Sequence, residues 1–342
     1  MNGGTNEHGL TISVIMPAFN ASGLLTQVLP PLVEMLRAGE VCEVLLVDDC
    51  STDDTVERAR ELGASVLEMP RNGGPGAARN LAAQKAAGDI LWFVDSDVVA
   101  WAGGAKKIRE AFEDPTVDAV FGSYDETPSG TPWISRYKNL VHRYYHQRGN
   151  REASTFWAGC GAVRKSAFLS AGGFDVVRYT MPSIEDIELG YRLRDRGGRI
   201  LLLPDLLAKH LKVWTFGNVI HTDIFRRAIP WSRLMIANRS VTDDLNTSRD
   251  ERVRAVMAAA LLICLLIVPF VPGIWPLVVA ALVAVFVLNR SFFLFMLQNG
   301  GRRFAMTAVL FHQLYYFYSS AAFVFCLAEA AIMGRKTQSD PG

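Results

Sequence analysis

Residues Val41–Thr55 read VCEVLLVDDCSTDDT. The first half is an apolar run rich in valine and leucine, the composition of a strand buried on both faces. The second half turns abruptly to acids, serine and threonine, residues that make turns and cap helices. Helical sequence follows from Asp53 to Leu62, and the neighbouring chain repeats this strand–helix unit. Upstream, Thr11–Met16 (TISVIM) is a β-branched strand closed by Pro17, with a helical stretch over Leu24–Arg37. Downstream, Ser65–Glu68 is a short third strand, Pro75–Ala87 is helical, and Asp89–Val94 (DILWFV) is a fourth strand. Such alternation predicts an α/β domain built on a parallel sheet covered on both faces.

In sheets of this kind ligands bind beyond the carboxyl ends of the strands. After the first strand comes Pro17-Ala18-Phe19-Asn20, and after the second Asp48-Asp49-Cys50-Ser51 with Asp53 and Thr55. After the third comes Arg71-Asn72-Gly73-Gly74-Pro75-Gly76, leading into Ala78-Arg79-Asn80; after the fourth, Asp95-Ser96-Asp97. Singly, each has a plainer explanation. An Asp-Asp-x-Ser turn caps helices, a DxD triplet is usually a solvated loop, and clustered glycines usually make a turn. Their joint placement at successive strand ends argues for one site. A further acidic run, Ile184-Glu185-Asp186-Ile187-Glu188, stands before a helix read over Leu189–Arg196. By itself it reads as capping, because acids favour a helix start.

The chain has 342 residues, half of them hydrophobic, with a net charge of +1. That balance offers no basic stripe for nucleic acid, so no nucleic-acid partner is expected. Five scattered cysteines form no CxxC pair and no zinc spacing, which suits a reducing cytosol. The polar first ten residues do not read as a signal peptide.

The apolar excess lies after Arg254. No charged residue occurs from Ala255 to Leu288, a run too long for one crossing of roughly 20 residues. Pro269, Pro272, Gly273 and Pro276 supply a turn in its middle, so a hairpin of two spanning helices is expected. Phe304–Gly334, interrupted by His312, Gln313 and Glu329, is expected to be a third, tilted span. Ser291–Leu297 could instead lie in the interface. Arg249, Arg252 and Arg254 before the hairpin, and Arg290, Arg302 and Arg303 after it, place both hairpin ends in the cytosol. The expected layout is a disordered N-terminus (1–10), a catalytic domain (11–205), an amphipathic interfacial segment (206–253), a transmembrane region of about three helices (254–334) and a tail (335–342).

Taken in order and spacing, PAFN, VDDCSTDDT, NGGPGAARN, DSD, AGGFD at Ala171–Asp175 and the Glu185-Asp186 pair resemble the family 2 glycosyltransferases. These are inverting enzymes of the GT-A fold, and the likeness covers roughly residues 10 to 215. It implies a membrane-anchored bacterial-type member, multi-pass in the cytoplasmic membrane with its Rossmann-like nucleotide-sugar domain in the cytosol. The implied donor-binding residues are Pro17, Asn20, Asp48, Asp49, Asn72, Gly76, Arg79 and Asp95. Asp95 and Asp97 would hold Mg2+ or Mn2+ against the diphosphate, a suitable task for a pair of hard oxygen ligands. Asp186 is the implied base, with Glu185 beside it, removing a proton from an acceptor hydroxyl. The implied donor is a nucleotide sugar, a UDP-sugar favoured over a GDP-sugar.

The resemblance also bears on the acceptor. Polyprenyl-phosphate glycosyltransferases run from DxD into a Leu-Gln and proline-rich segment, where this chain has Asp97-Val98-Val99. A lipid or lipid-linked hydroxyl is therefore favoured over a lipid phosphate, with glycolipid or cell-envelope polysaccharide as the product class. Trp157 stands where related synthases carry an acceptor-side motif, though burial in the core is an equal reading. Arg226–Trp231 (RRAIPW) matches the QxxRW motif of processive members in part, with Pro230 where its arginine belongs. That departure speaks against polymer synthesis and leaves Arg227 and Trp231 as acceptor-side candidates. Trp214, Phe216, Phe225 and Trp231, interleaved with Lys212, Arg226, Arg227 and Arg233, suggest an amphipathic surface segment. His210 is read as structural ahead of a place near the metal. A nucleotidyltransferase should carry a glycine-rich loop where PAFN stands, and a non-catalytic scaffold would not need every acid.

Overall fold

The computed structural model describes residues 9–127, 132–239 and 243–338. The expected disordered N-terminus lies outside these through residue 8, as do tail residues 339–342. The chain divides into two compact units, Met1–Gly130 with Gly149–Val213, and Thr131–Arg148 with Trp214–Gly342.

In the first unit the expected alternation forms β1 (Ile12–Ala18), α1 (Ser22–Arg37), β2 (Glu43–Asp48), α2 (Thr55–Glu61), β3 (Ser65–Glu68), α3 (Gly74–Lys85) and β4 (Ile90–Val94). β1 is buried throughout and pairs in parallel with β2 and β4, while β3 adds in parallel to β2. Burial on both faces explains why β1, β2 and β4 read as largely continuous rather than alternating apolar runs. Three further elements follow: β5 (Val98–Ala100), α4 (Gly104–Ala111) and β6 (Val117–Tyr124). α5 (Trp133–Arg148) belongs to the second unit. The chain then returns through β7 (Glu152–Ala153), β8 (Cys160–Arg164), α6 (Lys165–Ser170), α7 (Glu185–Asp195) and β9 (Arg199–His210). The sheet order is β3-β2-β1-β4-β8-β6-β9-β5, with β7 on β9.

This right-hand half is mixed rather than parallel, because β8 runs antiparallel to both β4 and β6. Its register also breaks between Phe121 and Ser123 on β6. There a Cβ on Gly122 would stand 2.0 Å from the Leu206 carbonyl oxygen, so only glycine allows the strands to meet. The expected domain limit at 205 falls inside β9, which continues to His210.

The second unit is helical: α5, α8 (Phe216–His221), a π-helix (Thr222–Ala228), α9 (Ile229–Ala237), α10 (Arg249–Ile267), α11 (Trp275–Leu288) and α12 (Arg290–Gln338). Its core joins Tyr137, Leu140 and Tyr144 of α5 to Phe292, Met296, Phe304 and Ala308 of α12. Phe292 and Met296 are fully buried while Leu294 is 40% exposed, so Ser291–Leu297 packs one face of its helix into this core. His312 is fully buried between the Tyr137 hydroxyl (2.7 Å) and the Tyr145 hydroxyl (3.0 Å). Glu251 is likewise buried and accepts from Tyr145 (3.0 Å) and Tyr316 (2.6 Å). Buried polar groups of this kind persist because each has partners.

The expected spans need correction. Among the described residues one helix, Arg290–Ile332, is long and apolar enough to cross a membrane, and Pro272–Leu288 is a shorter apolar helix. The long helix is itself broken at Gly301, whose φ of 78° is not helical. The uncharged part of α10 from Ala255, and α11 from Trp275, each rise about 20 Å at 1.5 Å per residue. A hydrocarbon core is about 30 Å thick, so neither hairpin arm spans it. The sequence run looked long enough because it counted both arms and their turn together. The amphipathic expectation for residues 206–253 also divides: Trp214 and Trp231 are buried, whereas Phe216 and Phe225 are more than half exposed.

Candidate active site

The loops after β1 and β2 are stitched together first. Asn20, at φ 51°, uses its side-chain oxygen to accept the Thr52 N–H (2.8 Å), while its own N–H donates to the Ser51 hydroxyl (2.9 Å). Pro17 lies buried within β1 rather than on the rim. Asp48 closes β2 and accepts the Ser51 N–H (3.1 Å). Asp49, expected to contact the donor, braces the neighbouring loop in this structure. Its two carboxylate oxygens accept the N–H groups of Gly73 (2.7 Å) and Gly74 (2.8 Å), and Asn72 donates to its carbonyl (2.9 Å). Asp49 thus satisfies orphan donors at the start of α3 and pins the glycine loop to β2. Gly74 needs its glycine, since φ is 80°. Gly76 is buried against Phe174 and Val176, both 3.4 Å from where a Cβ would stand.

α3 then delivers Arg79, only 4% exposed, to the end of β4. Its guanidinium is ion-paired with Asp95, lies 3.9 Å from Glu185, and stands over the Phe174 ring at 5.5 Å. Its Nε is buried without a partner. Asn80, the next residue, clamps the GGFD segment by accepting the Phe174 N–H and donating to the Phe174 carbonyl, both at 2.8 Å. Phe174 itself packs against Phe93 of β4 and Phe168 of α6, with centroids 5.5 and 5.3 Å away. Sequence reasoning quoted Asn80 and Phe174 within motifs but assigned neither a task.

Asp97 follows Asp95 at the mouth of β5 and faces His210 of β9 at 3.5 Å. Burial works to raise its pKa, but His210 and Lys212 outweigh this and hold the carboxyl below its usual range. His210 stacks on Tyr124 (4.6 Å, 7° between planes), and Tyr124 meets the edge of Trp157 (4.9 Å, 86°). No sequence signal announced Tyr124, because β6 was not among the strands read.

The acidic run before α7 completes the arrangement. Asp186 accepts the Ala158 N–H at 3.1 Å and the Ile187 N–H at 2.8 Å. Burial and the adjacent Glu185 carboxylate push its pKa up to about 6, with the Ala158 hydrogen bond opposing. α7 lies hard against the Thr155–Phe156 backbone, where a Cβ on Gly190 would stand 2.5 Å from the Phe156 nitrogen. Arg192, held by Glu188 one turn earlier on the same helix (2.7 Å), ties α7 to the GGFD segment by donating to the Gly173 carbonyl at 2.7 Å. Within the first unit, then, the fold brings together Asp95, Asp97, Arg79, Glu185, Asp186 and partly buried Trp157. Arg227 and Trp231 fall in the second unit, the former exposed on the π-helix and the latter buried in α9.

The donor set suits a hard divalent ion. Among the described residues no three His, Cys, Asp or Glu side chains are grouped to hold a metal. A cation would therefore rely on one or two carboxylates, chiefly Asp97 with Asp95, and on ligand oxygens, the pattern Mg2+ accepts with phosphates.

Residues 13–172 match the family model Glycosyl transferase family 2. A pre-mycofactocin glycosyltransferase of Mycobacterium tuberculosis is 33% identical over 213 residues, covering 58% of this chain and 42% of that protein. The chain thus spans less than half the length of that curated relative. Among solved structures, a Pyrobaculum calidifontis mannosyltransferase in complex with GDP-Man and Mn2+ covers 93% of this chain and 88% of its own, with TM-score 0.56 and 17% identity. S. aureus TarS 1-349 in complex with UDP-GlcNAc covers 67% of this chain and 66% of its own, with TM-score 0.51 and 22% identity. These likenesses show the mixed α/β fold of the first unit. Residues 13–172, just under half of the chain, thus form a domain similar to glycosyltransferase family 2.

Proposed function

We propose that the first unit is an inverting transferase moving a sugar from a nucleoside-diphosphate sugar to a hydroxyl acceptor, with Asp186 as the base. The observation that carries this is the placement of Asp186. Its carboxyl is anchored by the Ala158 N–H, sits beside Glu185, and has a pKa of about 6, close to the working pH that suits a general base. On the donor side, Asp95 and Asp97 stand ready for Mg2+ or Mn2+, which would neutralise charge on the departing diphosphate. Arg79 adds positive charge beside Asp95. Asp48, Asn20 and Asn72 shape the rim where the nucleoside would lie. A UDP-sugar is favoured, although the two solved neighbours named above hold a UDP-sugar and a GDP-sugar respectively.

The acceptor is proposed to be a lipid or lipid-linked hydroxyl, because the apolar surface of the second unit points to a membrane. Large hydrophobic side chains on α10, α11 and α12 are exposed, among them Val256, Leu266, Phe286 and Leu310. So many large exposed hydrophobic side chains on a few helices are uncommon on a soluble surface. The basic residues around Arg249–Arg254 and Arg290–Arg303 favour a cytosolic position for this side. A phosphate acceptor is the second reading, and it would need no base.

The test is purified protein in detergent with a panel of nucleotide sugars, scored by nucleoside diphosphate release with and without lipid extract. Release that depends on both a sugar nucleotide and lipid supports the proposal. Release that is the same without lipid would remove the lipid acceptor, and no release with any donor would remove the reaction.

A further inference from the structure

Resting on the membrane reading above, we infer that the α10–α11 hairpin enters the bilayer from the arginine-bearing side and turns back inside it without emerging.

Three independent features carry this. The first is length. Each uncharged arm rises about 20 Å, about 10 Å short of the far side of a hydrocarbon core. The second is exposure. Phe270 is 84% exposed, Val256 67%, Leu266 62% and Trp275 62%, and no charge occurs between Ala255 and Leu288. An apolar surface that continues around the tip matches hydrocarbon, whereas a crossing hairpin would carry a polar turn into water.

The third feature is the backbone of the turn. Irregular backbone does not survive exposed to lipid unless its polar groups are satisfied internally. Here the donors are nearly all spent or missing. Val268 donates to Cys264 (2.9 Å), Phe270 to Ile267 (2.9 Å), Val271 to Ile267 (3.0 Å) and Ile274 to Val271 (3.1 Å). Trp275 donates to the Pro272 carbonyl. Pro269, Pro272 and Pro276 have no N–H to satisfy. The prolines therefore do more than bend the chain: they remove donors where no water would pair them. At the open end, exposed Arg249, Arg252 and Arg290 stand where anionic head groups would meet them.

The experiment uses Gly273→Cys in the full chain, reconstituted in vesicles of phosphatidylcholine and phosphatidylglycerol. Nothing lies within 4 Å of a Cβ at this position, so the substitution should not disturb the turn. Arg290→Cys serves as the aqueous control, and peptide mapping separates both labels from the native cysteines. The expected result has three parts: vesicle-bound protein, no reaction of residue 273 with an impermeant maleimide from either side, and reaction after detergent. A bimane placed there should be quenched by lipids brominated near the bilayer centre. Labelling from the side opposite residue 290 means that the hairpin crosses, which overturns this inference but leaves the membrane reading intact. Labelling from the same side, with protein still vesicle-bound, means that the tip lies in water and also overturns it. Protein that stays in the supernatant removes both readings.

Discussion

Arg79 of α3 is ion-paired with Asp95 at the end of β4, and its other nitrogen lies 3.9 Å from Glu185 at the start of α7. One buried guanidinium therefore connects the carboxylate proposed for the donor to the acidic pair proposed for the acceptor. Lysine keeps the charge but loses the planar fork that serves two partners. Arg79→Lys should weaken nucleotide binding about tenfold, near 1.4 kcal/mol, by titration calorimetry. Arg79→Ala should also lower the melting temperature. Its cost should sit at or below the lower end of the ~3–5 kcal/mol for breaking buried pairs, because the Asp95 side chain is 35% exposed. Unchanged affinity in both variants would leave Arg79 with a structural task only.

Gly190 sets how closely α7 approaches the Thr155–Phe156 backbone. A methyl group there must displace the helix, since backbone atoms rather than a pliable side chain stand in its way. Gly190→Ala should destabilise the fold by about 1–3 kcal/mol, the usual cost of overpacking. It should also lower turnover more than donor affinity, because Asp186 rides on the same helix. A variant with wild-type stability would mean the helix has room to shift.

The left half of the sheet was legible because β1, β2 and β4 are unbroken apolar runs, each followed at once by polar punctuation. The right half was not. β6 and β8 carry Gly122 and Gly161 at close strand contacts, and β9 contains Pro204 and a register shift, so no simple period survives. The acids were legible as a set but not their individual tasks. Asp48 and Asp49 are adjacent and chemically identical, yet only Asp49 meets the α3 amides, a distinction that depends on the path of a loop over twenty residues away. Helix length told most against the sequence reading, because an uncharged run does not reveal where its arms end.

Asp97 is held ionised by His210 and Lys212, which suits it to a cation. Asp97→Asn should abolish sugar transfer, and excess chelator should do the same to the native chain. Mn2+ binding in the presence of UDP, followed by electron paramagnetic resonance, should weaken in the variant independently of turnover. Full transfer in excess chelator would remove the metal from the reaction.

The Asp186 carboxyl has a pKa of about 6, raised by burial and by Glu185. A base works only when ionised, so kcat/KM should rise about tenfold per pH unit up to pH 6 and level off above it. Removing the neighbouring negative charge makes ionisation easier. Glu185→Gln should therefore move the acidic midpoint of the pH–rate profile downward, toward the ordinary carboxylate range, with the plateau reached at lower pH. A midpoint that stays put would show that Glu185 does not tune the base.

The sharpest division between the proposed reaction and its rival lies at Asp186 itself. A sugar or lipid hydroxyl must lose a proton as it attacks the anomeric carbon, whereas a lipid phosphate arrives already ionised. Asp186→Asn preserves the size of the side chain and can still accept the Ala158 N–H that now anchors it at 3.1 Å. Asparagine also serves well near a helix start, so the variant should fold and melt close to the native chain. Donor affinity should barely change, since the proposed nucleotide contacts come from the strand ends and α3. Transfer should fall by about 10² to 10⁴-fold, the usual worth of a positioned base. Measured together, the melting temperature, nucleotide affinity and turnover separate the cases. A folded variant that binds donor and fails to transfer supports a hydroxyl acceptor. One that keeps near-native turnover would remove Asp186 from the chemistry and favour a phosphate acceptor instead.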